Sequence, residues 1–329
     1  MQAEGTGVNP HSTGAISVGG TRGEALSAIV EEPVAAAAAS LDERRVDRGG
    51  RRGNHASVRV SVVIPALNEA LNLRHVLANM PDSVFEVILI PGRSTDDTER
   101  VARLMRGDVR VVHQNGHGKG NALACGFAAA RGDIIVTLDA DGSANPHEIP
   151  AFVGALLSGA DFAKGTRYVQ GGGSLDMTLL RRLGNRALTT LANVLHGTRY
   201  SDLCYGYNAF WRGCLPLLNV DSDGFEVETL LNLRASKSGL RVTEVASFEL
   251  ARIHGRSNLR TFGDGWSVLS TILREWVPKR HRIPHSPPVR LVAGRRSSDR
   301  RQPPGADPGE GGGERGAERR EDAERSQRA

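Results

Sequence analysis

Two carboxylates separated by one small residue stand straight after an apolar run. Ile134-Ile135-Val136-Thr137-Leu138 is followed by Asp139-Ala140-Asp141-Gly142-Ser143. Carboxylates so placed at the end of a strand can address one divalent cation, directly or through water, while Gly142 relieves the backbone. Oxygen ligands suit Mg²⁺ or Mn²⁺, and the three scattered cysteines, Cys125, Cys204 and Cys214, offer neither a zinc set nor a disulfide framework. The plain alternative is an Asp-rich turn between a strand and a helix; the position behind a buried strand favours the metal.

Three further loops carry polar groups. Pro65-Ala66-Leu67-Asn68-Glu69 follows another apolar run, and its Glu69 can cap the coming helix or meet a polar ligand edge. In Pro91-Gly92-Arg93-Ser94-Thr95-Asp96-Asp97-Thr98, Ser94 or Thr95 is expected to cap a helix beginning near Asp96. Gly116-His117-Gly118-Lys119-Gly120 brings a backbone and one cation to a helix start, where phosphate can be held. Lys119 is followed by Gly rather than Ser or Thr, so this is not a Walker A loop. No G-x-G-x-x-G follows the first strand, which removes support for ATPase and nicotinamide-dehydrogenase chemistry.

The elements that must position these loops alternate regularly. Apolar strands are expected at 58–64, 85–90, 109–113, 133–138 and 161–165, with helices at 70–79, 96–105, 119–130 and 146–158 between them. Such alternation predicts an α/β fold with a mainly parallel sheet and helices on both faces, whose ligands sit beyond the carboxyl ends of the strands. The second half reads as a helix at 177–195, an unassigned stretch at 202–212, a helix at 225–238, a strand at 240–248, a polar loop and a final helix at 264–276. Residues 1–57, rich in Gly, Ala, Ser, Arg and Glu, and residues 278–329, rich in Pro, Gly and mixed charge, lack a sustained apolar period and are read as disordered flanks of one domain at 58–277. The net charge of +5 resides in the second flank, with 13 basic and 8 acidic residues, so the nearly neutral middle does not suggest nucleic-acid binding. No apolar window reaches membrane-spanning length and no secretory signal is legible. The expectation is a cytoplasmic protein, with peripheral attachment at the inner face of the membrane as the alternative.

Together and in order, these pieces resemble the family 2 glycosyltransferases of GT-A fold (nucleotide-diphospho-sugar transferase, Rossmann-like), and within them the dolichyl- and polyprenyl-phosphate sugar transferase branch. The resemblance spans about 58–276 and rests on Val62-Val63-Ile64-Pro65-Ala66-Leu67-Asn68-Glu69, Ser94-Thr95-Asp96-Asp97-Thr98, Gly118-Lys119-Gly120-Asn121, Asp139-Ala140-Asp141-Gly142-Ser143 and Gly165-Thr166-Arg167-Tyr168. Gly224-Phe225-Glu226-Val227-Glu228 and His254-Gly255-Arg256-Ser257-Asn258 also look like that branch. It implies a donor nucleotide held by Pro65, Asn68, Glu69, Ser94, Asp96, Lys119 and Asp139, with Mg²⁺ or Mn²⁺ on Asp139 and Asp141. Arg167, Arg252, His254, Arg256 and Ser257 would meet phosphates near the acceptor. One departure stands out: where the family has Asp at the end of the second strand, this chain has Pro91, then Gly92 and Arg93.

The implied function is metal-dependent, inverting transfer of a sugar from a nucleotide-diphosphate sugar to an acceptor such as a polyprenyl phosphate. For a hydroxyl acceptor a carboxylate must take the proton, and Asp202, Glu226 and Glu228 are the candidates. A lipid phosphate is already ionised and needs no base. The last helix puts Trp266, Leu269, Ile272, Leu273 and Trp276 on one side, for core packing or for contact with a membrane holding the acceptor. A non-catalytic nucleotide-sugar-binding or scaffold protein of the same fold is the alternative, motivated by the Pro91 departure. A sugar-phosphate nucleotidyltransferase ranks last, since its Gly-rich loop after the first strand is absent.

Overall fold

The computed structural model describes residues 58–255 and 261–277; the expectations for 1–57, 278–329, Arg256 and Ser257 lie outside the described residues. β1 (Val60–Pro65), β2 (Glu86–Ile90) and β4 (Ile134–Thr137) are runs of β-branched and aliphatic residues. Val62 to Ile64, Val87 to Ile90 and Ile134 to Val136 are fully buried residue after residue. Consecutive side chains of a strand face opposite ways, so both faces of this sheet are covered.

One seven-stranded sheet has the order β3-β2-β1-β4-β7-β5-β8, where β3 is Arg110–Val111, β5 Phe162–Thr166, β7 Asn208–Trp211 and β8 Val242–Ala246. Every pairing is parallel except those of β7, which runs antiparallel to both β4 and β5. The mainly parallel expectation is therefore met, with β7 inside the stretch that the sequence left unassigned. β6 (Gly173–Ser174) and β9 (Phe248–Glu249) form a separate parallel pair, so the strand expected over 240–248 breaks at Ser247 and its end leaves the main sheet.

The helices are α1 (Ala70–Ala78), α2 (Thr98–Met105), α3 (Gly118–Ala129), α4 (Ile149–Leu157), α5 (Leu179–His196), α6 (Leu215–Leu218), α7 (Val227–Lys237) and α8 (Thr261–Trp276). α3 lies tightly on the sheet at Gly126, where a Cβ would collide with Val63 and Ile90. α2 begins two residues later than expected, because the Asp96 carboxylate turns back to accept from the Thr98 amide at 3.0 Å. Ser94 does not cap it: its hydroxyl donates to the Pro91 carbonyl at 2.6 Å.

α5, α7 and α8 share a smaller core of Ala192, Leu203, Leu233, Val268 and Ile272. The single apolar side expected for the last helix is thus divided. Ile272 points inward beside Val268, while Trp266, Leu273 and Trp276 are 69%, 45% and 53% exposed. Among the described residues no helix is long and apolar enough to cross a membrane.

Candidate active site at the strand ends

A cavity of about 610 Å³ opens beyond the carboxyl ends of β1, β2, β3 and β4 and continues between α5 and α8. Pro65, Glu69, Lys119, Asp139, Asp141, Arg167, Glu228 and Arg252 all line it.

Lys119, at the start of α3, joins two acids. Its Nζ lies 2.6 Å from Asp139 Oδ1 and 2.6 Å from Glu228 Oε1. Burial would lower the ammonium pKa, but the two carboxylates outweigh it and hold Lys119 charged. Burial, with the Asp139 charge nearby, pushes Glu228 upward, against the pull of Lys119. The α3 N-terminus is set by close backbone packing: Gly120 donates to the Asp223 carbonyl at 2.8 Å, and Gly118, at φ 79°, leaves no room for a side chain against that carbonyl.

Asp141 divides its oxygens. Oδ1 accepts from the Ser143 amide at 3.0 Å and hydroxyl at 2.8 Å, which fixes the carboxylate, and Oδ2 lies 3.2 Å from Arg252 Nη2. Gly142 turns with φ 78°, and the Ile253 side chain lies over it. Among the described residues no three His, Cys, Asp or Glu side chains converge on a point where they could hold a metal ion. Asp139 and Asp141 offer only oxygen donors beside an open cavity. That donor set fits a cation of the Mg²⁺ or Mn²⁺ type, which keeps waters and takes substrate phosphate oxygens rather than an all-protein cage.

On the β1 side, Glu69 is held by Arg252 Nη1 at 2.8 Å and by Asn72 Nδ2 at 2.5 Å. Arg252 therefore bridges Glu69 and Asp141. The neighbouring residues anchor it: the His254 amide donates to Asn72 Oδ1 at 2.9 Å and the His254 carbonyl accepts from Asn72 Nδ2 at 3.1 Å. The exposed His254 ring faces His75, 5.8 Å between centroids, and does not line the cavity.

Three residues that the resemblance assigns to the donor nucleotide bond across between loops. Asn68, at φ 58°, accepts from the Thr95 amide at 2.8 Å, and its own amide donates to Ser94 Oγ at 2.9 Å. Asp96 accepts from the Ala70 amide at 3.1 Å. These bonds lock the β1 and β2 loops together, and none of Asn68, Ser94 and Asp96 lines the cavity.

Of the candidate bases, Asp202 is fully buried and grips Arg167 with both oxygens, at 2.7 Å to Nε and 3.0 Å to Nη2. Burial alone would raise its pKa, but the Arg167 guanidinium holds the carboxyl below the usual carboxylate range. Both oxygens of Asp202 are turned to Arg167, and Asp202 does not line the cavity. Glu226 accepts from the Gly224 amide at 3.2 Å and stands outside the cavity, which leaves Glu228 on α7 as the one of the three that lines it.

Arg167 is itself nearly saturated. Its Nη1 bonds Glu249 at 3.0 Å, and its guanidinium stacks 4.7 Å over the Tyr205 ring. Glu249 and Tyr205, which line the cavity, were not read from the sequence. Glu249 comes into place only because β9 pairs with β6, where Ser174 also donates to it.

Residues 61–215 match the family model for glycosyl transferase family 2. A glycosyltransferase of Haloferax volcanii, AglJ, is 30% identical over 218 residues, covering 65% of this chain and 71% of the relative. The chain belongs to glycosyl transferase family 2. This family 2 glycosyltransferase is also similar to the polyprenol monophosphomannose synthase of Mycolicibacterium smegmatis, at 32% identity over 200 residues, 57% of this chain and 76% of the relative. Its GT-A fold is shared with the glucosyl-3-phosphoglycerate synthase of Mycobacterium tuberculosis, solved with Mn²⁺, UDP-glucose and phosphoglyceric acid. The TM-score there is 0.55 and the identity 29%, covering 70% of this chain and 87% of that one. Glycosyl transfer is thus the chemistry of the family, and the non-catalytic reading loses its ground.

Proposed function

We propose that this glycosyltransferase moves a sugar from a nucleotide-diphosphate sugar to a phosphate carried on a lipid chain, with inversion and with Mg²⁺ or Mn²⁺, through one catalytic domain at 58–277. The observation that carries this reading is the continuity of one cavity from Asp139, Asp141 and Lys119 to a largely apolar arm between α5 and α8, where Met177, Leu180, Leu188, Phe262 and Val268 line it together with the polar Asp176, Arg181, Asn185 and Asp264. A diphosphate belongs at the first end and a prenyl-like chain at the second.

Departure of a nucleoside diphosphate develops negative charge, and preorganised positive charge lowers that barrier. A bound divalent cation would supply Lewis-acid neutralisation of the diphosphate there. Asp139 and Asp141 would hold that cation, and Lys119, kept charged by its two acids, adds a fixed positive charge beside it. Arg252 brings a second, held next to Asp141. Asp202, committed to Arg167, has no part in proton removal, and an ionised phosphate acceptor asks for none. The similarity to a polyprenol monophosphomannose synthase and to a synthase solved with Mn²⁺ and UDP-glucose supports the same assignment. Exposed apolar residues beside the arm, Leu179, Phe262 and Trp266, suit a peripheral enzyme working at a membrane surface.

The test is incubation of the purified full chain with labelled nucleotide sugars, Mn²⁺ or Mg²⁺, and a polyprenyl phosphate. The expected product is a glycolipid that extracts into organic solvent, has the opposite anomeric configuration by NMR and fails to form with EDTA. Preferential transfer to a soluble hydroxyl compound, a retained configuration or full activity in EDTA would overturn the reading.

A further inference from the structure

Glu249 and Arg252 reach the cavity from one short stretch, residues 247–253, which lies outside the main sheet. Glu249 bonds Arg167 at one end, and Arg252 bonds Asp141 and Glu69 at the other. Apolar burial does little to fix this stretch, since Phe248, Leu250 and Ile253 are 40%, 41% and 44% exposed. Its place therefore depends on hydrogen bonds. The Leu250 amide donates to the Ser143 carbonyl at 2.8 Å, and the Leu175 amide donates to the Glu249 carbonyl at 2.9 Å.

A further tie comes from Glu148, which ends the short 3₁₀ turn Pro146–Glu148 just before α4. A carboxylate at that position could serve the helix N-terminus, yet its side chain makes no capping bond to α4. It crosses instead to residues 99 and 100 positions along: Oε2 accepts from the Ser247 hydroxyl at 2.5 Å, and Oε1 from the Phe248 amide at 3.0 Å. Because the Ser247 proton goes to Glu148, the Ser247 oxygen is left to accept from the Tyr205 hydroxyl at 2.8 Å. Tyr205 lines the cavity and carries the Arg167 guanidinium 4.7 Å over its ring; Glu148 and Ser247 do not line the cavity.

We propose that Glu148 is a positioning residue for transfer, acting through Ser247, the Phe248 amide and Tyr205 to set Arg252 against Asp141 and Glu249 against Arg167. This rests on the metal-dependent transfer reading above. Hydrogen bonds to a carboxylate are short and strong, and they fix the direction of both partners. With both Glu148 oxygens engaged, residues 247 and 248 keep their place relative to the turn that follows the Asp139–Ser143 loop. Glu249 and Arg252 inherit that placement. Removing the carboxylate takes one acceptor from the Ser247 hydroxyl and one from the Phe248 amide, and lets the stretch shift. A misplacement of about 1 Å at a charged group can slow a reaction by about 10²-fold. Arg252 would also loosen its hold on Asp141, so a cation held by Asp141 would meet less competition.

The test is Mn²⁺ titration of the nucleotide-free full chain, followed by electron paramagnetic resonance, beside transfer kinetics at temperatures where each variant is folded. Glu148→Ala should bind Mn²⁺ about two- to fivefold more tightly than wild type, the range set by a partly exposed ion pair between Arg252 and Asp141. Its transfer should slow by about tenfold to a hundredfold. In an Arg252→Ala background the same change should leave Mn²⁺ affinity where Arg252→Ala alone puts it. Glu148→Gln, whose amide oxygen still accepts from Phe248 and whose amino group can donate to Ser247, should recover most of both properties. Ser247→Ala removes one of the bonds and should move both in the same direction by less, which keeps the test open where Glu148→Ala does not fold. Wild-type Mn²⁺ affinity and rate in these variants beside a lowered melting temperature would place Glu148 in support of the fold alone. That result, or a Glu148→Ala shift in Mn²⁺ affinity that adds to that of Arg252→Ala, would overturn the proposal while leaving the transfer reading intact. Failure of wild type to bind Mn²⁺ would instead overturn the metal reading, and this proposal with it.

Discussion

The guanidinium of Arg252 lies across Asp141, with Nη2 3.2 Å from Oδ2, while its other terminal nitrogen holds Glu69 at 2.8 Å. One side chain from the segment before α8 thus neutralises a carboxylate assigned to the metal and one assigned to the donor. On the proposed assignment, a cation held by Asp141 would compete with this contact and would free the Arg252 charge for phosphate. Arg252→Ala is expected to bind Mn²⁺ about fivefold more tightly in the absence of nucleotide, in line with the loss of a partly exposed ion pair of about 1 kcal/mol. Its transfer rate should nevertheless fall at least tenfold. Mn²⁺ titration followed by electron paramagnetic resonance, beside steady-state kinetics, checks both; weaker Mn²⁺ binding would remove the competition.

Asp139 and Asp141 should not behave alike. Asp139→Asn leaves Lys119 with Glu228 as its remaining acid, whereas Asp141→Asn leaves the Lys119 cluster whole. Either change is expected to lower transfer on the order of 10²- to 10³-fold, the size of losing one preorganised charge-stabilising group. The melting temperature should change more in Asp139→Asn. Equal activity in wild type and Asp141→Asn would remove the metal assignment.

Asp202→Asn separates positioning from proton transfer. The amide keeps a hydrogen-bond acceptor for Arg167 but removes the opposing charge, and breaking a buried pair in this way costs about 3–5 kcal/mol. The expected variant is less stable, with transfer reduced and a pH–rate profile of unchanged shape. Loss of a limb of that profile would reinstate Asp202 as a base.

What was legible in the sequence followed the local physics of the chain. Val60–Pro65, Glu86–Ile90 and Ile134–Thr137 announce themselves as buried parallel strands because both of their faces are covered, and the loops behind them carry Glu69 and Asp139–Asp141 straight into the cavity. Residues whose surroundings are assembled over long range were not legible. Asp202 looked like an available base until Arg167, 35 positions away in sequence, closed on it. Glu249 is brought in by a two-residue strand pair, Ser94 is drawn to the neighbouring loop by Asn68, and Asp96 divides its oxygens between the start of α2 at Thr98 and the Ala70 amide of that loop. β7 resisted assignment because Asn208-Ala209-Phe210-Trp211 is short and its two neighbours come from distant parts of the chain.

Glu86 makes a prediction about pH that is separate from activity. At the start of β2, away from the strand ends that form the site, its carboxylate accepts from Ser61 Oγ at 2.7 Å, the Arg131 amide at 2.7 Å and Arg110 Nη1 at 2.6 Å. Burial would raise its pKa, but these donors lower it from 4.5 to about 2. A carboxylate depressed in the folded state contributes stability that is present above the unfolded value and lost as pH falls through the folded one. Wild type should therefore exceed Glu86→Gln by about 1–3 kcal/mol near neutral pH, with the gap closing between pH 4.5 and 2. Chemical denaturation at a series of pH values measures it; a gap that widens on acidification would refute the assignment. Transfer by Glu86→Gln should match wild type under conditions where both are folded.

The outward face of α8 makes the last prediction. Phe262 and Trp266 are 83% and 69% exposed at the end of the cavity's apolar arm, and Leu179, Leu180 and Leu183 on α5 are 72%, 56% and 58% exposed. Side chains of this size lie poorly in water, and each contributes roughly 1.5–3 kcal/mol when fully buried in an apolar medium. If they rest in the lipid surface that holds the acceptor, Phe262→Ser and Trp266→Ser should each lower transfer to a long-chain polyprenyl phosphate in vesicles by about tenfold. Phe262 lines the cavity and Trp266 does not, so Trp266→Ser should leave transfer to a short, water-soluble prenyl phosphate unchanged. Vesicle flotation run beside the two assays distinguishes the roles: a loss with both acceptors and undiminished flotation would place Trp266 in support of the fold rather than at the membrane.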